Sequence, residues 1–198
     1  MSIVITGNPG VGKHTITQEI GEKMKLSVLD INSIAKDSGL FEKNGETNDV
    51  DIEELEKILK QKTSENHIIV GHLAPYVLTK NQIKIMIVLR RSPYDLVSVY
   101  KNRKYSDNKI KENAGSEILG VIAHDAIEKF QEKAFQINVT GKTIPEVVER
   151  IMSVISENKG NDQVDWLELV RKNNDLGKFF VDWLNNAFEF DKLLVWNI

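Results

Sequence analysis

Gly7-Asn8-Pro9-Gly10-Val11-Gly12-Lys13-His14-Thr15 decides the fold of this chain. The stretch follows the apolar run Ile3-Val4-Ile5-Thr6 and leads into a helix-compatible segment, Thr15 to Lys25. A strand, then G-x-x-x-x-G-K, then a helix spells a phosphate-binding loop. Glycines let the backbone turn sharply enough for several N–H groups to face one anion, and the helix N-terminus adds its positive dipole end. Lys13 is long enough to reach the outer phosphates of a nucleotide. A Gly/Pro-rich turn beside a lysine would account for the residue types, but not for the agreement of strand, spacing and helix. One position departs from the pattern. The loop usually continues with Ser or Thr, whose hydroxyl binds Mg²⁺; here it is His14, with Thr15 next and able to touch an inner phosphate. Nucleotide binding is expected through Asn8, Gly10, Val11, Gly12, Lys13, His14 and Thr15, with the protein ligands of any Mg²⁺ in doubt.

Working outward, five short apolar runs read as strands: Ser2–Thr6, Ser27–Asp30, His67–Val70, Lys84–Leu89 and Phe135–Val139. The run Ile85-Met86-Ile87-Val88-Leu89 is continuous rather than alternating, which suits a strand buried on both faces. Helical stretches lie between them. Asp51–Gln61 has Asp51 as N-cap and Glu54 at the capping-box position. Pro93 stands in the first turn of a helix opened by Ser92. Asn108–Lys133 reads as one long helix, and Thr143 opens a last one through Ser156. Alternating strands and helices predict a five-stranded parallel sheet covered on both faces. Ligands of such sheets sit at the carboxyl ends of the strands, which puts the loop, Asp30 and His72 on one rim.

The chain has 198 residues, 41% of them apolar, enough for one domain with an appendage. Net charge is −3 and the pI about 5.9, so no global basic field recruits DNA. The absence of cysteine excludes disulfides and thiolate metal sites. No apolar run approaches the roughly 18 residues needed to span a bilayer, and the first strand begins at residue 2 with no signal segment ahead of it. A soluble, cytoplasmic protein is expected.

Glu157-Asn158-Lys159-Gly160-Asn161-Asp162-Gln163 reads as a linker. All three tryptophans follow it, and Leu176, Phe179, Phe180, Trp183, Leu184, Ala187 and Phe188 fall at helical spacing. This helical extension either packs its stripe on the main domain or presents a docking surface for a partner or a second copy. The expected organisation is a kinase-like domain over residues 1–157, a linker over 158–163 and the extension over 164–198.

A phosphate loop alone does not separate GTPases, ATPases and small-molecule kinases. Guanine reading through N-K-x-D is unsupported, since the chain offers only Asn108-Lys109-Ile110-Lys111. Motor and AAA-type ATPases need longer chains and a strand ending in acidic residues, so neither is expected. Size and layout point to a nucleoside-monophosphate kinase, which needs a second phosphate site and a basic lid that excludes water.

Beyond the loop, several segments carry a resemblance. They are Leu29-Asp30-Ile31-Asn32-Ser33-Ile34-Ala35-Lys36-Asp37-Ser38-Gly39-Leu40, Val50-Asp51-Ile52, Val88-Leu89-Arg90, the run from Asn102 to Asn113, and Glu117-Ile118. In order and spacing the chain resembles the adenylate kinase isozyme 6 family over about residues 1–170, and Val164-Asp165-Trp166-Leu167 is similar to the tail of its archaeal members. The resemblance implies a P-loop kinase fold, adenylate kinase and weak ATPase activity, ATP with Mg²⁺, and AMP or another nucleoside monophosphate as acceptor. It also implies a role in small ribosomal subunit maturation, through the pre-ribosome and small-subunit ribosomal protein eleven.

Carried over by position, residues 30–53 would bind the monophosphate and 102–112 would form the lid. Lys13 and Arg103 would be catalytic, and Asp30, Lys36, His72 and Arg90 would contact substrate. A planar guanidinium at Arg103 can stabilise several oxygens of a transferring phosphoryl group at once; the same residue would equally serve as a solvated helix-end arginine. Arg90 and Arg91 end a buried strand at the rim, where one can reach phosphate. Lys36 keeps the charge of a family arginine without its fork. The chain departs from the family pattern at His14, at Gly71-His72, where no carboxylate precedes the histidine, and at Lys104, where glycine is usual. An adenylate kinase-like enzyme and a nucleotide-binding assembly factor that has lost turnover are the two readings left open.

Overall fold

The computed structural model describes residues 1–44 and 47–180. In chain order the elements are β1 (Ser2–Thr6), α1 (Lys13–Met24), β2 (Ser27–Asp30), α2 (Ile31–Asp37), β3 (Phe41–Asn44), β4 (Thr47–Val50), α3 (Ile52–Lys62), β5 (His67–Val70) and α4 (Ala74–Val77). They continue as β6 (Ile83–Arg90), α5 (Pro93–Asn102), α6 (Asp107–Leu119), α7 (Val121–Phe130), β7 (Ala134–Asn138), α8 (Ile144–Glu157) and α9 (Trp166–Lys172). Five strands form one sheet in the order β2-β5-β1-β6-β7, every pair parallel. β3 and β4 make a separate antiparallel hairpin.

The alternation of side chains along β1 sorts the core. Ile3 and Ile5 join Ile85, Ile87 and Leu89 on the face covered by α1, α5 and α8. Val4 joins Ile69, Met86 and Val88 on the face covered by α2, α3, α4 and α7. Both faces of the central strands are therefore apolar, as the unbroken run in β6 requires. Helix starts follow the side chains that can satisfy free N–H groups: Asp51 accepts from Glu54 at 3.0 Å, and Thr143 and Glu146 form a reciprocal capping box.

One element differs from its sequence expectation. Asn108–Lys133 is not one helix but two, α6 and α7, followed by a short 3-10 turn, Gln131–Lys133. The break falls at Gly120, whose φ of 68° lies in the left-handed region that glycine enters without penalty. The guanidinium of Arg90 occupies the space a side chain there would need, with Nη1 3.2 Å from the Cβ position.

The segment after α8 runs beside the edge strand β7. Asn161 accepts from the Gln136 N–H at 2.6 Å, and Asp162 accepts from the Asn138 N–H at 2.9 Å. From there α9 lies on α6. Trp166, Val170 and Phe179 form a third apolar cluster with Ala114 and Ile118, and Phe180 packs at its margin. Trp183, Leu184, Ala187 and Phe188, the rest of the aromatic stripe, lie outside the described residues.

Candidate functional site

The carboxyl end of β1 passes directly into the loop, and glycine makes the turn possible. Gly7 has φ 135°, and a Cβ there would meet the Leu89 carbonyl oxygen at 2.5 Å. Gly12, with φ 95°, leads the chain into α1. Tyr100 braces the loop from α5 by donating its hydroxyl to the Pro9 carbonyl at 2.6 Å. Lys13 opens α1 and is buried; its Nζ donates to the Asn8 carbonyl at 3.2 Å. Burial, followed by the nearby Arg103 guanidinium, lowers its pKa to about 8 against the opposing pull of Asp30. A buried ammonium at the N-terminus of a helix, with no carboxylate bonded to it, favours an anion.

Asp30 and His14 meet at the rim. Asp30 ends β2 and caps α2, its Oδ1 accepting from the N–H groups of Asn32 at 2.8 Å and Ser33 at 3.2 Å. Its Oδ2 lies 2.9 Å from His14 Nε2. Burial works against the Asp30 charge, but the His14 hydrogen bond and the two N–H groups outweigh it and hold the carboxyl below its usual range. His72 follows β5 on the same rim. Burial, and then the charge of Lys13, push its pKa down to about 4, so it is a neutral imidazole near neutral pH. The structure thus brings Lys13, His14, Asp30, His72 and Arg103 into one electrostatic neighbourhood. Lys36 lies exposed on α2.

The residues before α6 reach the loop through Tyr100. Arg103 caps α5 and is exposed, followed by Lys104 with φ 58°. Tyr105 stacks on Tyr100 with centroids 5.6 Å apart, and the Lys109 ammonium lies 5.0 Å from the Tyr105 ring centre. Since Tyr100 also holds Pro9, this stack ties the 102–112 segment to the phosphate loop.

Arg90 corrects the sequence expectation. Its guanidinium is not turned to the site. Nε donates to Glu117 Oε1 at 2.8 Å, Nη2 to the Glu117 carbonyl at 2.7 Å and Nη1 to Gln136 Oε1 at 2.5 Å. The pair is buried, so a lone charge on either side would be costly and the two hold each other. Arg91 is the strand-end arginine that faces the loop, with Nη1 3.5 Å from the Gly10 carbonyl.

Glu117 is the residue that sequence reasoning missed. Its carboxylate is fully buried and accepts from the Asn8 side chain at 2.7 Å, the Arg91 N–H at 3.1 Å and the Trp166 indole at 3.0 Å, besides Arg90. Ser116 donates to the other end of the Asn8 amide at 3.1 Å. Phosphate loop, strand end, α6 and α9 are therefore joined at one carboxylate. A signal was present: Ala114, Glu117 and Ile118 share a helix face, and a carboxylate on a buried face needs a cationic partner.

Mg²⁺ takes hard oxygen ligands at about 2.0–2.1 Å in near-ideal octahedral geometry. Here an imidazole stands at the usual hydroxyl position, and β5 ends in Gly71-His72 without a carboxylate. The residues present suit nucleotide phosphates, and they do not suit Mg²⁺.

Comparison with known proteins fits this geometry. The family described as AAA domain matches residues 3–120, against the expectation that a chain of this length stands apart from AAA-type ATPases. The chain is 33% identical over 174 residues to a protein of Pyrococcus furiosus named "Putative adenylate kinase", covering 85% of this chain and 93% of that one. It is 34% identical over 187 residues to a protein of the same name from Methanosarcina barkeri, covering 86% and 100%. Among solved structures, a shikimate kinase from Bacteroides thetaiotaomicron superposes with a TM-score of 0.54 at 19% identity, covering 79% of this chain and 98% of that one. A gluconokinase from Sinorhizobium meliloti gives 0.53 at 14%, covering 79% and 91%. The fold is that of the P-loop kinases, with a five-stranded parallel sheet flanked by helices. Among the described residues no helix is long and apolar enough to cross a membrane.

Proposed function

The chain belongs to the adenylate kinase-like P-loop family of these archaeal proteins, and on that premise we propose that it transfers a phosphoryl group from ATP to AMP, giving two ADP. The observation that carries this reading is the buried Lys13 ammonium beneath the left-handed glycines of the loop, within electrostatic reach of Arg103. Asn8, Gly10, Val11, Gly12, Lys13, His14 and Thr15 bind the ATP phosphates through backbone N–H groups and the lysine. An oxygen of the AMP phosphate attacks the γ-phosphorus in line. The new P–O bond forms as the bond to the bridging oxygen breaks, and the electron pair leaves with ADP.

No protein nucleophile is required, so catalysis is positioning and charge stabilisation. Lys13 and Arg103 meet the charge on the equatorial oxygens. Residues 30–53 hold the monophosphate, with Asp30, Lys36 and His72 as contacts. Arg91 takes the strand-end role, because Arg90 is committed to Glu117. Residues 102–112 act as the lid.

A second reading has one observation in its favour: the donor set around His14 does not suit Mg²⁺. In that reading the chain turns ATP over weakly or not at all and serves as a nucleotide-gated factor in small ribosomal subunit maturation. Its net acidity would suit a basic partner such as small-subunit ribosomal protein eleven. ADP formation measured from ATP with AMP, beside ATP alone, separates the two. The kinase reading predicts that AMP accelerates ADP formation with two ADP per ATP consumed. Binding of ATP with no AMP-dependent ADP would discard it in favour of the second.

A further inference from the structure

We propose that His14 and Asp30 together form half of a metal site, completed by the phosphates of bound ATP, that selects an imidazole-accepting divalent cation such as Co²⁺ over Mg²⁺. The inference rests on the nucleotide reading above and adds the identity of the ion.

Three features of the pair carry it. The first is distance. His14 Nε2 and Asp30 Oδ2 are 2.9 Å apart. Two ligands placed at right angles, each about 2.1 Å from one ion, stand about 3.0 Å from each other. That separation is one that two neighbouring ligands of a single ion keep, reached by a tilt of the imidazole off the line to Oδ2. The second is orientation. Asp30 Oδ1 is held by the N–H groups of Asn32 and Ser33, which fixes the carboxylate plane and leaves Oδ2 for His14. Outer hydrogen bonds of this kind commonly aim a metal ligand. The third is place. His14 adjoins Lys13 at the start of α1, at the position where the phosphate loop ordinarily supplies an oxygen to the nucleotide's ion.

The chemistry of the pair then sets the preference. Magnesium seeks oxygen and keeps its waters. Imidazole suits later divalent metals, and affinity at a mixed nitrogen and oxygen site rises from Mn²⁺ to Co²⁺ and beyond. Lys13 and Arg103 oppose a free cation at this rim, so the site fills only with the triphosphate, whose oxygens neutralise them.

The test uses the full chain and ATP affinity measured in Mg²⁺, in Co²⁺ and in EDTA. Affinity in Co²⁺ should exceed that in Mg²⁺ by about tenfold or more. His14→Ser should erase the preference or turn it toward Mg²⁺. Asp30→Asn keeps a good helix cap and should also erase it. With Mn²⁺ and ATP bound, pulsed electron paramagnetic resonance should show coupling to a directly ligated nitrogen in the wild type and none in His14→Ser. Equal affinity in the two metals, with no nitrogen coupling, would overturn the inference and leave His14 as a hydrogen-bond donor. Failure to bind ATP in all three conditions would overturn the nucleotide reading itself, and this inference with it.

Discussion

Lys104 sits between Arg103 and Tyr105 with φ 58°, a left-handed conformation that a residue with a Cβ adopts at a cost of about 1–2 kcal/mol. Glycine would remove that cost while adding about 0.5–1 kcal/mol of unfolded-state entropy. Lys104→Gly should therefore stabilise the chain by up to about 1 kcal/mol in chemical denaturation; a variant less stable than wild type would show that the lysine makes compensating contacts. His72 offers a second test at this scale. Its folded pKa of about 4 lies below the ordinary 6.5. The unfolded chain therefore takes up a proton first as pH falls, and stability drops between about 6.5 and 4. After allowance for partial exposure the loss is about 2–3 kcal/mol, and His72→Gln should flatten the pH profile in that window. An unchanged slope in the variant would assign the acid sensitivity elsewhere. The loop around Lys13 and His14 reads from the sequence because its spacing is local, and Asp30 reads as a rim residue because it ends an apolar run. Arg90 was not, because its partner Glu117 is 27 residues away and only the fold joins them.

At the scale of elements, α6 depends on one buried charge. Glu117→Gln keeps the shape but leaves Arg90 without its counter-charge and weakens the hold on Asn8 and Trp166. Breaking one side of a buried pair costs about 3–5 kcal/mol, so a loss of about 3 kcal/mol or more is expected, read as a shift in denaturation midpoint. A change under about 0.5 kcal/mol would mean that the carboxylate is not the hub its geometry describes. The sheet strands were readable to within one residue because each is a short apolar run bounded by polar turns. The split between α6 and α7 was not read, since apolar residues recur on both sides of Gly120 and the glycine alone marks the break. The β3–β4 hairpin was not read, because its strands are too polar to show the alternation that identifies a half-buried pair.

At the scale of the molecule, the segment after β7 binds the domain in two ways. Asn161 and Asp162 cover an edge strand, and Trp166, Val170 and Phe179 bury themselves against α6. Each such large apolar side chain contributes about 1.5–3 kcal/mol when fully buried. A chain ending after Gly160 should melt at a clearly lower temperature while still binding ATP, because the loop and rim lie before that point. Equal melting temperatures for the two chains would favour a docking surface over packing. The central claim concerns the phosphate loop, and calorimetric titration of ATP into the wild type and Lys13→Ala tests it most directly. Hydrogen bonds to a charged group contribute about 1.5–3 kcal/mol, so the variant should bind ATP about tenfold to a hundredfold more weakly. Equal affinity in the two proteins would contradict the account.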